Sequence, residues 1–391
     1  MRKKKIAVLG RGTAGSLAIS HFARWMPDCE LEWHFDPNTP TQSVGEGSQL
    51  NLPISLIENV DFSYYDLQKI NGTLKTGILK EGWGKDGKTF FHDFPAPSVS
   101  LHFSAVELQK YIFDKLKSKV KIIEHNITSE EIDADHIMDC SGQPKSFDDF
   151  DISNYIPVNS VHVVQCPWDR PQFDYTLTIA RPYGWVFGIP LTNRCSIGYL
   201  YNNKINTLEE VEEDIKYIFN KFNLTPSEQT NTFTFMSYRR KQNFSERIIY
   251  NGNNSFFYEP LEATSIGVMD RIQRSAIQLW RDNYVDVNHI NNGFMDFTDE
   301  IESFIMLHYF SGSPFKTNFW DQAEERGVKC IQKLKHNVNF KNICVESTTI
   351  TGYGKCKFGK NLVYGGYGVG SFYQNLRGFG IEKRLIDFLE K

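Results

Sequence analysis

The sequence predicts a mixed α/β (α+β) fold in which a Rossmann-like βαβ module is interleaved along the chain with a β-sheet module and followed by a mostly helical C-terminal part. Three observations carry this. The apolar run Lys5–Leu9 feeds straight into a glycine turn and then an amphipathic stretch. Residues 155–201 hold short runs rich in β-branched and aromatic residues (VHVVQ, YTLTIA, WVFGIPL, CSIGYLY), which read as strands. The last third reads as helical, broken by a Gly/Tyr-rich loop at 364–370.

Taken in order, KIAVL (5–9) is a buried strand, and Gly10, Gly12 and Gly15 turn the chain after it. A helix from about Ser16 to Met26 sets Leu17, Ala18, Phe22 and Trp25 on its apolar side, and LEWHFD is the second strand, ending at Asp36. Ser104 and Glu107 form a capping box ahead of Leu108, Tyr111, Ile112 and Leu116. The runs KVKII (119–123) and HIMDC (136–140) are further strands. Thr207 and Glu210 open another capped helix, with Leu208, Val211, Ile215, Ile218 and Phe219 on one face. Boundaries fall near residues 150, 245 and 285, and no repeat or low-complexity linker separates the parts.

Composition narrows the function. A 391-residue chain with 40% hydrophobic and 23% charged residues is long enough for a large core or two joined domains. The net charge of -4 argues against nucleic acid as a partner. The seven cysteines are widely spaced and include no CxxC pair, so neither a disulfide framework nor a metal site is expected, and a reducing cytoplasm fits. The apolar part of MRKKKIAVLG is too short for a signal peptide, and no stretch reaches the length of a membrane span.

Several segments carry possible chemistry. Gly10-Arg11-Gly12-Thr13-Ala14-Gly15, between a strand and a helix, aims backbone N–H groups at a pyrophosphate, and Asp36 about twenty residues on is placed to accept from a ribose. This fits FAD and NAD equally. Ser43-Val44-Gly45-Glu46-Gly47 is either a polar surface turn or a loop that lets backbone approach a flat cofactor. Lys75, in NGTLKTGILKEGWG, is by residue type a solvated side chain. Gly184-Trp185-Val186-Phe187-Gly188-Ile189-Pro190 reads as a core strand ending in proline. Glu259-Pro260-Leu261-Glu262-Ala263-Thr264-Ser265 leads into a helix beginning near Ile266; it is either an anion-holding turn or an ordinary N-cap by Thr264 or Ser265.

Together, and in this order, these segments resemble the flavin-dependent halogenases of the tryptophan-halogenase type, from about residue 5 to residue 320, and the short chain is similar to that family's compact, phage-encoded branch. DADHIMDCSG resembles the family's second flavin strand. The resemblance implies that residues 1–150 and 246–285 form an FAD-binding module, 151–245 a β-rich substrate module and 286–391 a helical substrate cover. It implies that Gly10, Gly12, Thr13, Ala14, Gly15, Asp36 and Gly142 hold FAD, with Gly45 and Glu46 near the flavin ring. Lys75 matches the catalytic lysine and Glu262 its partner acid, while Thr264 and Ser265 match the halide turn. His92 and Phe94 look like a substrate shelf, and Phe319 with Trp320 its opposite wall. Trp185, Ile189 and Pro190 match a family motif in which Phe187 replaces a second tryptophan, and Ala263 stands where serine is usual.

The expected reaction uses reduced FAD (FADH2), oxygen and a halide to make hypohalous acid, which Lys75 delivers to an electron-rich phenol or indole. The lysine acts either as a haloamine or by hydrogen-bonding the hypohalous acid. A separate NADH-dependent flavin reductase is the expected partner, since no second glycine fingerprint is present. Lys80 and Lys85, nearby in sequence, are expected to take no part and to tolerate alanine. A homo-oligomer is left open. Two alternatives remain at this point: a single-component flavin hydroxylase, and a flavin-binding sensor without turnover.

Overall fold

The structure, a computed structural model, describes residues 2–40, 46–95, 97–281, 286–349 and 362–390. The chain divides into two compact units, each assembled from three separate segments. Unit 1 comprises 1–74, 98–152 and 237–295; unit 2 comprises 75–97, 153–236 and 296–391. Residues 75–97, expected within the first module, therefore belong to unit 2. The reason is pairing: Gly77–Glu81 runs parallel to Thr176–Arg181 and antiparallel to Thr89–Asp93.

Unit 1 is built on a five-stranded parallel sheet in the order 248–250, 136–139, 5–9, 30–35, 121–124. Ile6, Ala7, Val8 and Leu9 are all buried, as a strand covered on both faces requires. The helix Thr13–Trp25 begins three residues before the sequence reading, because Gly12 already serves as its N-cap. It packs on the helix Thr264–Arg281, where Phe22 and Trp280 meet at 5.3 Å between centroids. The helix Ala105–Leu116 is capped by Ser104, which accepts from the Glu107 N–H at 3.4 Å.

Unit 2 holds a seven-stranded sheet in the order 230–234, 160–167, 194–201, 184–190, 176–181, 77–81, 89–93. The strand runs expected over 155–201 form its centre, with Leu177, Ile179, Val186, Cys195, Ile197 and Tyr199 in one buried cluster. The Thr207–Glu210 capping box is present, but its helix breaks after Asp214 into two short pieces that still bury Val211, Ile215 and Ile218. The helices of 296–391 include Asn318–Lys333, Val338–Thr349, Val369–Phe379 and Glu382–Glu390. Among the described residues no helix is long and apolar enough to cross a membrane, and no group of His, Cys, Asp or Glu could hold a metal ion.

Candidate functional site

In unit 1, the glycine turn is fixed from beneath and open above. Gly10 has φ +104°, and a Cβ there would sit 2.3 Å from the Cys140 carbonyl oxygen. A Cβ on Gly15 would sit 2.0 Å from the Gly10 carbonyl oxygen, so both positions exclude side chains by close approach. The Gly10 carbonyl accepts from Trp33 Nε1 at 2.8 Å. Gly12 differs: a Cβ there meets nothing within 4 Å, and no side chain caps the helix it starts. A long helix with an uncapped N-terminus and side-chain-free space above it suits a pyrophosphate.

Gly142, at φ +104°, also faces open space. Asp36 accepts from the Asn38 N–H at 2.8 Å through Oδ1. Ala14 is buried, and Thr13 Oγ1 accepts from Gln109 Nε2 at 3.0 Å, a partner the sequence did not flag because it lies on a different helix. Arg11 stacks its guanidinium 4.2 Å from the Phe113 ring centroid, another link with no local signature. Burial pushes the Cys140 thiol far above its usual range, and the Asp139 charge adds to this, so it stays protonated beneath the turn.

Gly45 lies outside the described residues. Glu46 is buried, and its carbonyl accepts from the Phe103 N–H at 2.9 Å. Gly47 bridges His102, and the Ser48 hydroxyl lies 2.8 Å from that of Ser100, so this end of the loop is tied to 100–102.

The backbone ahead of the Thr264 helix is strained. Glu262 (φ 65°, ψ 12°) and Ala263 (φ 54°) are consecutive non-glycine residues in the left-handed region. Each costs roughly 1–2 kcal/mol, which persists only where the surroundings enforce it and which points to function. The helix begins at Thr264 rather than near Ile266, so neither Thr264 nor Ser265 is an N-cap. Thr264 Oγ1 is buried and has no hydrogen-bond partner among the described residues. A buried orphan hydroxyl at a helix N-terminus, next to a turn of this kind, fits an anion.

In unit 2, Lys75 is 3% exposed, which overturns the solvated reading. The burial is non-local in origin. Gly77 lets the 89–93 strand approach so closely that a Cβ would lie 2.5 Å from the His92 carbonyl oxygen. That pairing continues to Phe94, whose N–H donates to the Thr76 carbonyl at 3.2 Å. It leaves Lys75 Nζ 5.7 Å from the Phe94 ring centroid. His92, also buried, sets its ring edge-on to Phe94 at 6.4 Å. Lys75, His92 and Phe94 are thus brought together.

Phe319 and Trp320 are fully buried. Trp320 donates through Nε1 to the Arg181 carbonyl at 2.7 Å and meets Trp83 edge-on at 5.6 Å. Trp185 is buried 6.4 Å from Trp83. Phe187 lies across Gly198, where a Cβ would fall 2.1 Å from the ring. Ile189 is half-buried and Pro190 is buried at the end of this strand.

Lys80 departs from the expectation that it tolerates alanine. It is fully buried, with Nζ 2.9 Å from His308 Nε2 and 2.7 Å from Asn375 Oδ1. It is therefore no inert neighbour of Lys75. Lys85 pairs with Glu324 near the surface.

A family model described as tryptophan halogenase matches residues 5–122 and 114–343. The chain belongs to that family. It is 25% identical over 279 residues to the tryptophan 6-halogenase SttH of Streptomyces toxytricini, covering 64% of this chain and 52% of that protein. It is 26% identical over 212 residues to the tryptophan 7-halogenase RebH of Lentzea aerocolonigenes, covering 51% and 39%. The chain thus spans about half or less of these curated relatives' length. Xcc4156, a flavin-dependent halogenase from Xanthomonas campestris, shares the fold, with a TM-score of 0.78 over 100% of this chain and 94% of that one at 16% identity. The Rossmann-like α/β architecture is thus that of the tryptophan halogenase family.

Proposed function

We propose that this protein is a flavin-dependent halogenase that uses reduced FAD, oxygen and a halide to halogenate an electron-rich aromatic substrate, with an indole the first choice. The observation that carries the reading is the burial of Lys75 beside Phe94, since a flavin hydroxylase has no use for a buried lysine at that place. The relatives' names point to tryptophan and so favour an indole over a phenol.

Bound reduced FAD, with oxygen, supplies the oxidant that converts halide to hypohalous acid. The chain's residues do the rest. The uncapped helix behind Gly10, Gly12, Thr13, Ala14 and Gly15 receives the pyrophosphate, Asp36 the ribose, and Gly142 leaves room beside the cofactor; Glu46 lies along the flavin. The Thr264–Ser265 turn holds the halide, with the Thr264 hydroxyl donating to it. Lys75 transfers the halogen, either through its free amine or by donating a hydrogen bond that polarises hypohalous acid. Glu262 accepts the proton released by the arene. His92 and Phe94 present a flat surface for the ring, and Phe319 and Trp320 stiffen the wall from within the core. Trp185, Phe187, Ile189 and Pro190 form the strand that shields against hydroxylation. A separate NADH-dependent flavin reductase supplies reduced FAD.

The test is incubation with FAD, NADH, an added reductase, bromide and a panel of indoles and phenols, read by mass spectrometry. Paired bromine isotope peaks that vanish when the reductase is omitted support the reading. NADH oxidation by the chain alone, with a hydroxylated product, overturns it.

A further inference from the structure

One side chain joins the loop assigned to the flavin to the turn assigned to the halide. Gln49 follows Ser48 directly, and its own carbonyl accepts from the Ser100 hydroxyl at 2.8 Å, which fixes its backbone to the strand 100–102. Its side chain reaches across to the strained turn, where Nε2 donates to the Glu262 carbonyl at 3.3 Å. The other end of the same amide lies in a notch on the first turn of the Thr264 helix. A Cβ on Gly267 would sit 2.3 Å from Gln49 Oε1 and 3.1 Å from its Cδ. Gly267 has no left-handed backbone to account for it, and glycine costs a helix interior about 1 kcal/mol against alanine. What the missing side chain provides is room for the Gln49 amide.

We propose that Gln49 is a positioning residue for the halide turn. It bonds the carbonyl of a left-handed residue and occupies the Gly267 notch, holding the Glu262–Ser265 backbone in its anion-binding shape and in fixed register with the flavin loop. The inference rests on the reading of Thr264 and Ser265 as the halide turn, and it extends that reading to Gln49 and Gly267. One consequence distinguishes it from simple packing. Gly267→Ala should improve the helix, yet harm halide binding by displacing the amide.

The experiment is a double-mutant cycle on the FAD-loaded protein, titrated with sodium bromide and followed by the absorbance change of bound oxidised FAD. Gln49→Ala and Gly267→Ala should each raise the half-saturating bromide concentration by roughly three- to tenfold, the scale of one hydrogen bond, with FAD affinity unchanged. In the Gln49→Ala background the notch is empty, so Gly267→Ala should leave bromide binding as it was and raise the melting temperature. Gln49→Met, which keeps the length and loses the donor, guards against a packing defect and should weaken bromide to the same extent. In turnover, the bromide KM should rise while kcat at saturating bromide stays within about twofold. Bromide binding unchanged in Gln49→Met, or penalties that multiply in the double variant, overturns the strut. A wild-type protein that binds FAD but shows no bromide response removes the halide turn itself, and the strut's role with it.

Discussion

Lys75 and Lys80 stand on the same short stretch of chain, and both are buried, but for different reasons. Lys75 lies beside an aromatic ring at the start of unit 2, whereas Lys80 is held by His308 and Asn375 inside it. Lys75→Ala is expected to keep FAD binding and to consume oxygen when given reduced FAD, yet to make little halogenated product when a scavenger removes free hypohalous acid. Lys75→Arg should fail as well, because guanidinium offers no free amine. Wild-type rates in Lys75→Ala with the scavenger present would remove the lysine from the mechanism. Glu262→Gln should lower product formation roughly a hundredfold, the scale of a lost general base. Lys80→Ala should act on stability, because it leaves buried polar partners behind; a loss of about 2–4 kcal/mol and a melting point lower by several degrees are expected. Lys85→Ala, at an exposed ion pair, should cost less than about 1 kcal/mol. Gly12→Val should leave melting of the FAD-free protein nearly unchanged, since nothing lies within 4 Å of the added Cβ, while FAD retention is lost. Retained FAD in a folded Gly12→Val protein would contradict the cofactor assignment.

At the scale of elements, the helix Thr13–Trp25 carries a pH dependence of its own. His21 is buried on it, and that burial lowers its pKa to about 4, against a smaller upward pull from Asp270. The folded value lies below the unfolded one, so the unfolded chain takes up the proton first, and stability falls as pH drops from 6.5 toward about 4. The loss from this one group is about 1 kcal/mol at pH 5.5. Burial depresses His34 and His136 in the same unit, which adds to the same trend. Melting temperatures measured from pH 7.5 to 5 should decline, and His21→Gln should flatten that slope; a slope identical to wild type would contradict the assignment.

The same helix shows how far sequence alone reached. The strand before it, its glycine turn and most of its apolar face were legible because each is a local signal, as was the β-rich run over 155–201; Trp25, read as part of that face, is instead 40% exposed at the last helical position. The strained pair Glu262 and Ala263 was not, because nothing in either residue type announces a left-handed backbone. The burial of Lys75 was missed because it depends on Gly77 admitting a neighbouring strand. Gln49 and Gly267 were invisible because their meaning lies in a contact across more than two hundred positions. The candidate site itself came from the order of its motifs, not from any one of them.

For the molecule as a whole, the division into two units of three segments each has a direct test. A fragment of residues 1–236 contains four of the five parallel strands of unit 1 but lacks 248–250 and the helix Thr264–Arg281. It should show no cooperative unfolding transition in urea, because Phe22 loses Trp280 and the outer face of the first helix loses its cover. A sharp transition from that fragment would show that the early segments suffice. The same arrangement sets a timetable for biosynthesis. Elongation at about 5–20 residues per second means that the first helix emerges from the ribosome on the order of ten seconds or more before residue 281 is translated. Through that interval a nascent chain displays Phe22 without Trp280, so slow synthesis or a pause before the Thr264 helix should favour chaperone capture or aggregation over folding.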